Sequence, residues 1–413
     1  MNDETLSDKT ADILVVGTGP VGMASALLAA HAGFSVVLVG PAPNVDDRRT
    51  TAVMMPGLRL LAPFELLEAV RADSAPLKTM RIIDGSNHLV RSPTVTFRAE
   101  EIGEEAFGYN IPNRVLNRTL MDRVAGAPIT WHQGMIDSWE FGADAVRVQC
   151  GGDSFAARLA VAADGRNSPA REAAGIAVNQ HPYPQTAIVC EFSHSRPHQH
   201  VSTEFHTETG PLTLVPLPGM RSSLVWVVDP RHVGELMALD DEAFARRLED
   251  RVQSMLGAIM VEGERQTWPM TTITARRFST ARLALVGEAA HVFPPIGAQG
   301  LNLGLRDVRN LIDVISASPA DPGAVSVMER YDRERRPDIL QRTGAVHTLN
   351  MSLLTGFLPV QMLKAAGLQA LASFAPLRNA AMAEGLVPGE GLRTLASMFS
   401  RRGTDRRAAD PRS

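Results

Sequence analysis

Cysteine is scarce in this chain: its 413 residues include two, Cys150 and Cys190, which lie far apart in the sequence. Two isolated cysteines in a chain of this length predict reduced core residues, because disulfide-stabilised folds carry more cysteines in shorter chains. Strong charge is also missing, since the formal net charge is −4, and aromatic residues make up 5% of the sequence. Without a basic surface or many rings for stacking on bases, nucleic acid is not an expected partner.

Long apolar runs are absent as well. No window approaches the roughly 18 uninterrupted apolar residues that a membrane-spanning helix needs. The chain starts with polar and acidic residues, unlike a secretory signal. We therefore expect a cytoplasmic protein, at most bound peripherally to the inner membrane. The 45% hydrophobic and 21% charged residues are typical of a globular protein, and the length favours two domains.

The chain opens with a pattern typical of a nucleotide-binding βαβ unit. An apolar run from Asp12 to Val16 precedes an Ala- and Leu-rich stretch from Val21 to Ala32, which Gly33 closes. A second apolar run, Ser35 to Val39, follows. Strand, helix and strand together span about 30 residues, the size of one βαβ unit.

A glycine-rich fingerprint joins the first strand to the helix, in the order Gly17, Thr, Gly19, Pro20, Val21, Gly22. In this context the first glycine allows a tight turn, the second lets the backbone approach a diphosphate, and the third lets helix and strand pack closely. The diphosphate then lies at the helix N-terminus. An acidic residue that binds ribose usually follows about 20 residues on, but Gly40 stands there.

The middle of the chain has a different pattern. Short strand-like runs are separated by turns rich in glycine and proline, at Ile188–Phe192, Ser202–Phe205, Leu212–Pro216 and Ser223–Val228. They predict an antiparallel sheet, followed by a helix over about Glu242 to Leu256. The apolar run Leu283–Val286 then returns to the pattern of the first domain. The fold class expected is α/β, with a Rossmann-type domain assembled from distant segments and an inserted antiparallel sheet.

Two further motifs follow apolar strands. Asp164-Gly165 comes after Ala157–Val161 and by itself is equally consistent with a simple turn. Glu288 comes after the run that ends at Val286, where its carboxylate could bind a sugar-like chain. A Pro- and Gly-rich loop then reaches a helix that begins near Gly300, whose free N–H groups suit a flavin ring. His291 in this motif is expected to be a packed, hydrogen-bonded residue.

Taken in order, these motifs resemble those of the flavoprotein aromatic hydroxylases typified by para-hydroxybenzoate hydroxylase. Within that group the chain is most similar to the hydroxylases of ubiquinone biosynthesis, which oxidise the ring of a polyprenylated phenol. The similarity is carried by Asp47–Ala52, Tyr183–Ala187, Gly210–Pro216 with Ser223–Trp226, and Gly297–Asp307.

The resemblance implies FAD as the cofactor, NADPH or NADH as the reductant, and a flavin hydroperoxide as the source of the hydroxyl group. No second dinucleotide fingerprint is present, which fits a nicotinamide that binds briefly. The cofactor-binding residues that the resemblance implies are Gly17, Gly19, Pro20, Val21, Gly22, Arg49, Asp164, Gly165, Glu288, Pro295, Gly297, Gly300, Leu301 and Asn302. The catalytic residue stays unassigned, since no equivalent of the family's substrate-activating tyrosines is found among Tyr109, Tyr183 and Tyr331.

The resemblance also implies a division into domains. Residues 1–78, 105–178 and 270–345 would form the FAD-binding domain of the GR2-like fold, and residues 79–104 and 179–269 the substrate domain. Residues 346–413 would form a C-terminal helical region with a frayed tail. Apolar residues at helical spacing between Met351 and Met382 predict either helices that pack on the core or a surface that meets lipid or a partner such as another quinone-biosynthesis protein.

Two other functions remain open on the sequence. One is a hydroxylase of the same fold that acts on a small soluble aromatic compound. The other is a non-catalytic flavoprotein that serves as a scaffold for quinone-making enzymes, which Gly40 and the missing base leave possible.

Overall fold

In the computed structural model of the chain, residues 9–86, 91–295, 299–354, 358–387, 390–391 and 393 are described. Their strands are β1 Lys9–Val16, β2 Val36–Val39, β3 Thr50–Met54, β4 Ala75–Pro76, β5 Thr79–Asp84, β6 Val95–Arg98, β7 Gly108–Pro112, β8 Ile129–His132, β9 Ser138–Phe141, β10 Val146–Cys150, β11 Asp153–Ala162, β12 Val178–His194, β13 Val201–Thr207, β14 Gly210–Leu217, β15 Arg221–Val228, β16 Ile259–Ala275, β17 Ser279–Thr280, β18 Leu283–Leu285 and β19 His291–Val292. Their α-helices are α1 Pro20–His31, α2 Met55–Leu60, α3 Leu66–Val70, α4 Asn113–Ala125, α5 Pro169–Ala173, α6 Pro230–Ala238, α7 Asp241–Arg251, α8 Gln299–Ser316, α9 Val325–Leu354, α10 Leu358–Ser373 and α11 Ala375–Leu386.

The first sheet is mostly parallel and has the strand order β17-β18-β11-β1-β2-β8, with β10 and β9 continuing from β11. Strands β18, β11, β1, β2 and β8 run in the same direction. Residues 13–16 of β1 and all of β2 are buried, as expected of central parallel strands covered on both faces. The predicted βαβ unit is therefore confirmed.

The second sheet has eight strands in the order β19-β16-β12-β15-β14-β13-β5-β6. All neighbouring pairs are antiparallel except β13 with β5. One face packs against α6 and α7 in an apolar cluster that includes Phe192, Trp226 and Phe244. The strands predicted in the middle of the chain all belong to this sheet. The helix predicted to reach Leu256 ends at Arg251, because Gln253 and Ser254 adopt left-handed backbone angles.

The C-terminal helices pack on the core in part and leave some apolar side chains exposed. Met382 of α11 packs against Ala99 and Phe107, whereas Leu363 of α10 is 74% exposed. No helix among the described residues is long and apolar enough to cross a membrane. Both cysteines are buried and unbridged, as the sequence predicts.

Candidate active site

The three motifs meet at one edge of the first sheet. Val39, Val16, Ala162 and Leu285, at or near the carboxyl ends of β2, β1, β11 and β18, lie in register as neighbours. Each motif begins within two residues of its strand end. Ligands of open α/β sheets bind outside the carboxyl ends of the strands, so this edge is the expected place for a nucleotide.

The glycine fingerprint is packed against the Asp-Gly motif. Gly17 has a φ of 102°, a conformation that glycine adopts without strain, and its N–H donates to Val39 O at 2.8 Å. A side chain at Gly17 would overlap the backbone of Ala163, and one at Gly22 would overlap the Gly17 carbonyl oxygen. These two glycines are therefore required by close backbone packing.

Gly19 differs from its two partners, because a Cβ atom there would meet nothing within 4 Å. It precedes α1, which has no side-chain cap and no acidic residue in its first turn. The first N–H groups of a helix have no partner within the helix and carry partial positive charge. Open space in front of uncapped N–H groups fits the diphosphate of FAD.

Asp164 has one carboxylate oxygen that still lacks a partner. Its Oδ2 accepts a hydrogen bond from Ala170 N at 3.0 Å, while its Oδ1 is buried and has no hydrogen-bond partner among the described residues. Burial raises the pKa of this carboxyl, although hydrogen bonds from Ser168 and Ala170 oppose the shift. A hydroxyl group of a bound cofactor would satisfy the free oxygen.

The third motif is held to the other two by short contacts. Arg171 donates to Ala289 O at 2.8 Å and to Arg166 O at 2.9 Å, which ties the Asp-Gly loop to it. A Cβ atom at Gly304 of α8 would lie 2.7 Å from Val21 Cγ2. The N-terminal parts of α1 and α8 therefore pack closely at the site.

A buried charge network supports this motif from behind. Asp307 is fully buried and accepts hydrogen bonds from Gly287 N at 2.9 Å, His291 Nε2 at 2.6 Å and Arg335. The neighbouring charges of His291 and Arg335 keep the pKa of Asp307 below its ordinary value, although burial opposes the shift. His291 is 1% exposed and is the packed, hydrogen-bonded residue that the sequence predicts.

Asn302, in the first turn of α8, holds an adjacent strand. Its Oδ1 accepts from Met54 N at 2.8 Å, and its Nδ2 donates to Ala52 O at 2.7 Å. The side-chain amide thus continues the backbone pairing of β3. In the structure Asn302 fixes the position of β3 beside the start of α8.

A cavity of about 960 Å³ lies between the two sheets. Arg49, just before β3, and Glu288 and Pro295, in the segment between β18 and α8, line one side of it, and the second sheet contributes an apolar part that includes Val189 and Val225. Pockets that hold drug-sized ligands have volumes of roughly 300–1,000 Å³. The cavity is therefore large enough for a flavin ring together with an aromatic substrate.

Arg49 is fixed at the entrance of this cavity. It pairs with Asp47 at 2.7 Å, and its guanidinium lies 5.2 Å from the ring centroid of Trp268. The hydrogen bond with Asp47 raises the pKa of Arg49, and the charges of Asp47 and Glu288 contribute as well. Glu288 is exposed to the cavity, where its carboxylate can accept hydrogen bonds.

The structure brings most predicted residues to one region in two groups. Gly17, Gly19, Pro20, Val21, Gly22, Asp164 and Gly165 lie at the strand ends, while Arg49, Glu288 and Pro295 line the cavity and Gly300, Leu301 and Asn302 belong to the first turn of α8. Gly297 lies outside the described residues. None of the three tyrosines is among the residues that line the cavity.

Sequence reasoning missed Thr18, which explains the glycine at position 40. A Cβ atom at Gly40 would lie 2.8 Å from Thr18 Cγ2, and the Thr18 hydroxyl donates to Pro41 O. Thr18 therefore fills the space into which a side chain at position 40 would point. Thr18 lies between Gly17 and Gly19 of the fingerprint, and that position could have drawn attention to it. The spacing of the glycines, however, does not indicate what a residue between them contacts.

Comparisons with known proteins agree with this geometry. The sequence matches the FAD binding domain family over residues 10–343. It is 34% identical over 385 residues to ubiquinone hydroxylase UbiL of Rhodospirillum rubrum, covering 90% of this chain and 89% of that protein. It is 27% identical over 393 residues to 3-demethoxyubiquinol 3-hydroxylase of Escherichia coli, covering 91% and 98%.

Among solved structures, p-nitrophenol 4-monooxygenase PnpA from Pseudomonas putida has the same fold. The TM-score is 0.75 at 19% identity, over 93% of this chain and 98% of that one.

Proposed function

The chain belongs to the FAD-binding family of aromatic hydroxylases, and on that premise we propose that it hydroxylates the ring of a polyprenylated phenol in ubiquinone biosynthesis. In the overall reaction the phenol, O2, NAD(P)H and a proton give the hydroxylated phenol, NAD(P)+ and water. One oxygen atom enters the ring and the other leaves as water, while the nicotinamide supplies two electrons. Bound FAD would provide the oxygen-activating chemistry. The protein binds and orients the phenol and excludes water from the cavity.

The observation that carries the proposal is the composition of the cavity between the sheets. One side is formed by charged and proline residues that include Arg49, Glu288 and Pro295. The second sheet contributes apolar residues that include Val189, Val225 and Met270, beside charged residues such as Glu191. A phenol needs an apolar surface for its ring and a polar group for its hydroxyl, and a prenyl tail needs further apolar surface. The cavity offers both kinds of surface within one volume.

The cofactor-binding roles follow the motifs. Gly19, with the N–H groups that begin α1, would hold the FAD diphosphate, and Gly17 and Gly22 would allow that approach. Asp164 and Gly165 would bind hydroxyl groups of the FAD or the nicotinamide, and Glu288 the ribityl chain. Arg49, Pro295, Gly300, Leu301 and Asn302 would surround the flavin ring, with Gly297 in the same loop.

We extend the proposal to the domain division, with 79–104 and 179–269 forming the substrate domain. The second sheet supports it, because β5, β6 and β12–β15 all lie there.

We also propose that α10 and α11 touch a membrane surface. Met362 and Leu363 are 56% and 74% exposed, and Phe374 is 46% exposed. A polyprenylated substrate resides in lipid, so an apolar surface on the C-terminal helices would bring the cavity to it.

Lipid mass spectrometry on the source organism tests this function. With the gene deleted, a prenylated phenol one hydroxyl group short of the next intermediate should accumulate, and restoring the gene should remove it. Restoring a Gly19→Ala variant separates a catalyst from a scaffold, because the weaker FAD binding expected of this variant should slow catalysis while the folded protein still serves as a scaffold. Unchanged quinones and precursors, in a strain without related hydroxylases, would overturn the proposal and favour a soluble aromatic substrate.

A further inference from the structure

One buried carboxylate on the cavity has an oxygen atom without a partner. Glu191 of β12 lines the cavity and its side chain is 12% exposed. Its Oε2 accepts a hydrogen bond from Arg221 Nη2 at 2.5 Å. Its Oε1 is buried and accepts no hydrogen bond from any described residue. Arg114 Nη1, at 3.9 Å from this oxygen, is beyond hydrogen-bond distance.

A buried hydrogen-bond acceptor without a donor destabilises the protein, and more so when it is charged. The ion pair with Arg221 satisfies Oε2 of Glu191 but leaves Oε1 without a hydrogen-bond donor among the described residues. A ligand that donates a hydrogen bond from the cavity would satisfy it.

The residues around Glu191 indicate what kind of ligand this is. Glu191 lies opposite Ser223 in the antiparallel pair of β12 and β15, and Val189 lies opposite Val225 one step along the same face. On this face of the sheet, the apolar pair Val189 and Val225 is followed two residues along β12 by the polar pair Glu191 and Ser223. An aromatic ring packed on the valines would place a ring hydroxyl beside Glu191.

We propose that Glu191 Oε1 accepts the hydroxyl hydrogen of the substrate phenol, which orients the ring and takes its proton during hydroxylation. This assignment rests on the function proposed above. The phenol O–H bond breaks and its proton goes to Glu191, while an electron pair of the phenolate forms the new C–O bond between the ring and one oxygen atom of O2. Bound FAD, reduced by NAD(P)H, would supply the O2 activation; the O–O bond breaks, and the second oxygen atom leaves as water. Aromaticity returns when the proton on that carbon leaves to water, and Glu191 then returns its proton to the first oxygen.

The tyrosines offer no alternative. Tyr331 is fully buried and donates to Leu285 O at 2.7 Å, and the hydroxyl of Tyr109 accepts from Arg71 at 2.9 Å. Tyr183 lies beside Thr272 at 3.3 Å. Other carboxylates, including Glu262 and Glu288, also line the cavity, but among these cavity carboxylates Glu191 is the one with a buried oxygen atom that has no hydrogen-bond partner among the described residues.

The test uses the purified FAD-loaded protein with a phenol that carries a geranyl chain. We would measure hydroxylated product and hydrogen peroxide formed per NAD(P)H oxidised, between about pH 6 and pH 9. The Glu191→Gln variant should lose roughly tenfold or more of its product yield per NAD(P)H and release hydrogen peroxide instead. Because a free phenol has a pKa near 10, the rate of product formation by Glu191→Gln should rise by up to about tenfold per pH unit in the alkaline range, as phenolate forms without a base, and its product yield should recover toward that of the unaltered protein.

Glu262→Gln is the matched control. Glu262 accepts from the Nε atom of the same Arg221 at 2.7 Å, so a purely structural role for Glu191 predicts the same loss in both variants. The proposal predicts an at least tenfold larger loss in Glu191→Gln, with alkaline rescue in that variant alone. Equal losses, a fully coupled Glu191→Gln enzyme, or absence of alkaline rescue would each overturn it.

Two further measurements keep these outcomes separate. Bound-flavin absorbance and thermal unfolding show whether Glu191→Gln is folded, and Glu191→Asp, which keeps the charge next to Arg221, should retain part of the coupling. If the unaltered protein forms no product from any prenylated phenol, the proposed function itself fails, and this assignment fails with it. If the unaltered protein is active and Glu191→Gln matches it, only the assignment fails.

Discussion

Gly40 and Thr18 are a matched pair: an added Cβ atom at Gly40 would lie 2.8 Å from Thr18 Cγ2 and 3.2 Å from Thr18 Oγ1. The Thr18 hydroxyl donates to Pro41 O, and Trp131 Nε1 donates to Gly40 O at 3.1 Å. The threonine, its hydrogen bond and the glycine together close the space where a ribose-binding acid would begin. Gly40, the one departure from the usual fingerprint, is therefore matched to Thr18 in the space that the two residues share.

This coupling predicts that restoring the acid alone weakens cofactor binding. Gly40→Asp should displace Thr18 and with it the fingerprint loop, because the added Cβ atom meets Thr18. A displacement that costs roughly 1–3 kcal/mol to reverse on cofactor binding would lower the affinity for FAD by about tenfold or more, since 1.4 kcal/mol is tenfold in affinity. The double variant Thr18→Gly with Gly40→Asp should recover most of the loss. Titration of the apoprotein with FAD, followed by flavin fluorescence, measures both. Tighter FAD binding by Gly40→Asp alone would contradict the pairing.

Gly19 predicts a loss of cofactor binding without a loss of stability. Its φ of −66° and ψ of 172° are accessible to alanine, and an added Cβ atom meets no protein atom within 4 Å. Gly19→Ala should therefore leave the melting temperature of the apoprotein within about 2 °C and weaken FAD binding roughly tenfold.

Gly234 of α6 is the control for this experiment, because a Cβ atom there also meets nothing within 4 Å. Gly234→Ala should change neither FAD affinity nor stability by much, apart from a gain of up to about 1 kcal/mol from better helix propensity. If the two variants bind FAD equally well, the diphosphate does not lie at the start of α1.

The motif positions could be predicted from the sequence because each glycine motif follows an apolar run directly. The pattern around Gly17 carries its own context of strand, turn and helix, and the register of Val16 with Ala162 then brings Asp164 to the same edge. Local patterns of this kind decide where a chain turns.

The residues proposed to bind the substrate could not be predicted from the sequence in the same way. Glu191 becomes notable only through Ser223, Arg221 and Arg114, which come from distant parts of the chain. Asp307 is the last residue of the Gly297–Asp307 motif, but its role depends on a hydrogen bond from Arg335, which belongs to another helix. Contacts between distant residues arise from packing of the whole chain, and periodicity in one segment carries no information about them.

Removing the charge of Asp307 should destabilise the protein strongly. Asp307→Asn removes the fully buried carboxylate next to Arg335 and leaves that guanidinium with Asp338 alone. Breaking a buried ion pair in this way costs about 3–5 kcal/mol. Urea unfolding at neutral pH measures this loss. Asp153→Asn is the comparison, because that carboxylate is exposed on the surface and pairs with Lys9, and its loss should have little effect.

The same variant predicts a pH dependence. The pKa of Asp307 is held below its ordinary value of 3.8 in the folded state, so its contribution is fully present above that value and is lost as the pH falls toward the folded pKa. The difference in unfolding free energy between Asp307→Asn and the unaltered protein should therefore shrink below about pH 4. A difference that grows on acidification would contradict the assignment of charge.

The exposed residues of α10 and α11 predict membrane binding. The double variant Leu363→Glu with Phe374→Glu should reduce co-sedimentation with vesicles that contain anionic lipid by about tenfold, because both side chains would otherwise enter the interface. Met260→Glu, at a methionine that is 65% exposed on β16, is the control and should sediment like the unaltered protein. Equal vesicle binding by all three proteins would contradict the proposed contact between the C-terminal helices and a membrane.

The decisive measurement for the proposed hydroxylation is turnover of a geranylated phenol under isotopically labelled O2. We expect a yellow protein that oxidises NAD(P)H and yields a phenol with one labelled oxygen atom in its new ring hydroxyl. A product whose new hydroxyl comes from water, or NAD(P)H oxidation that gives hydrogen peroxide alone with every prenylated phenol, would contradict it.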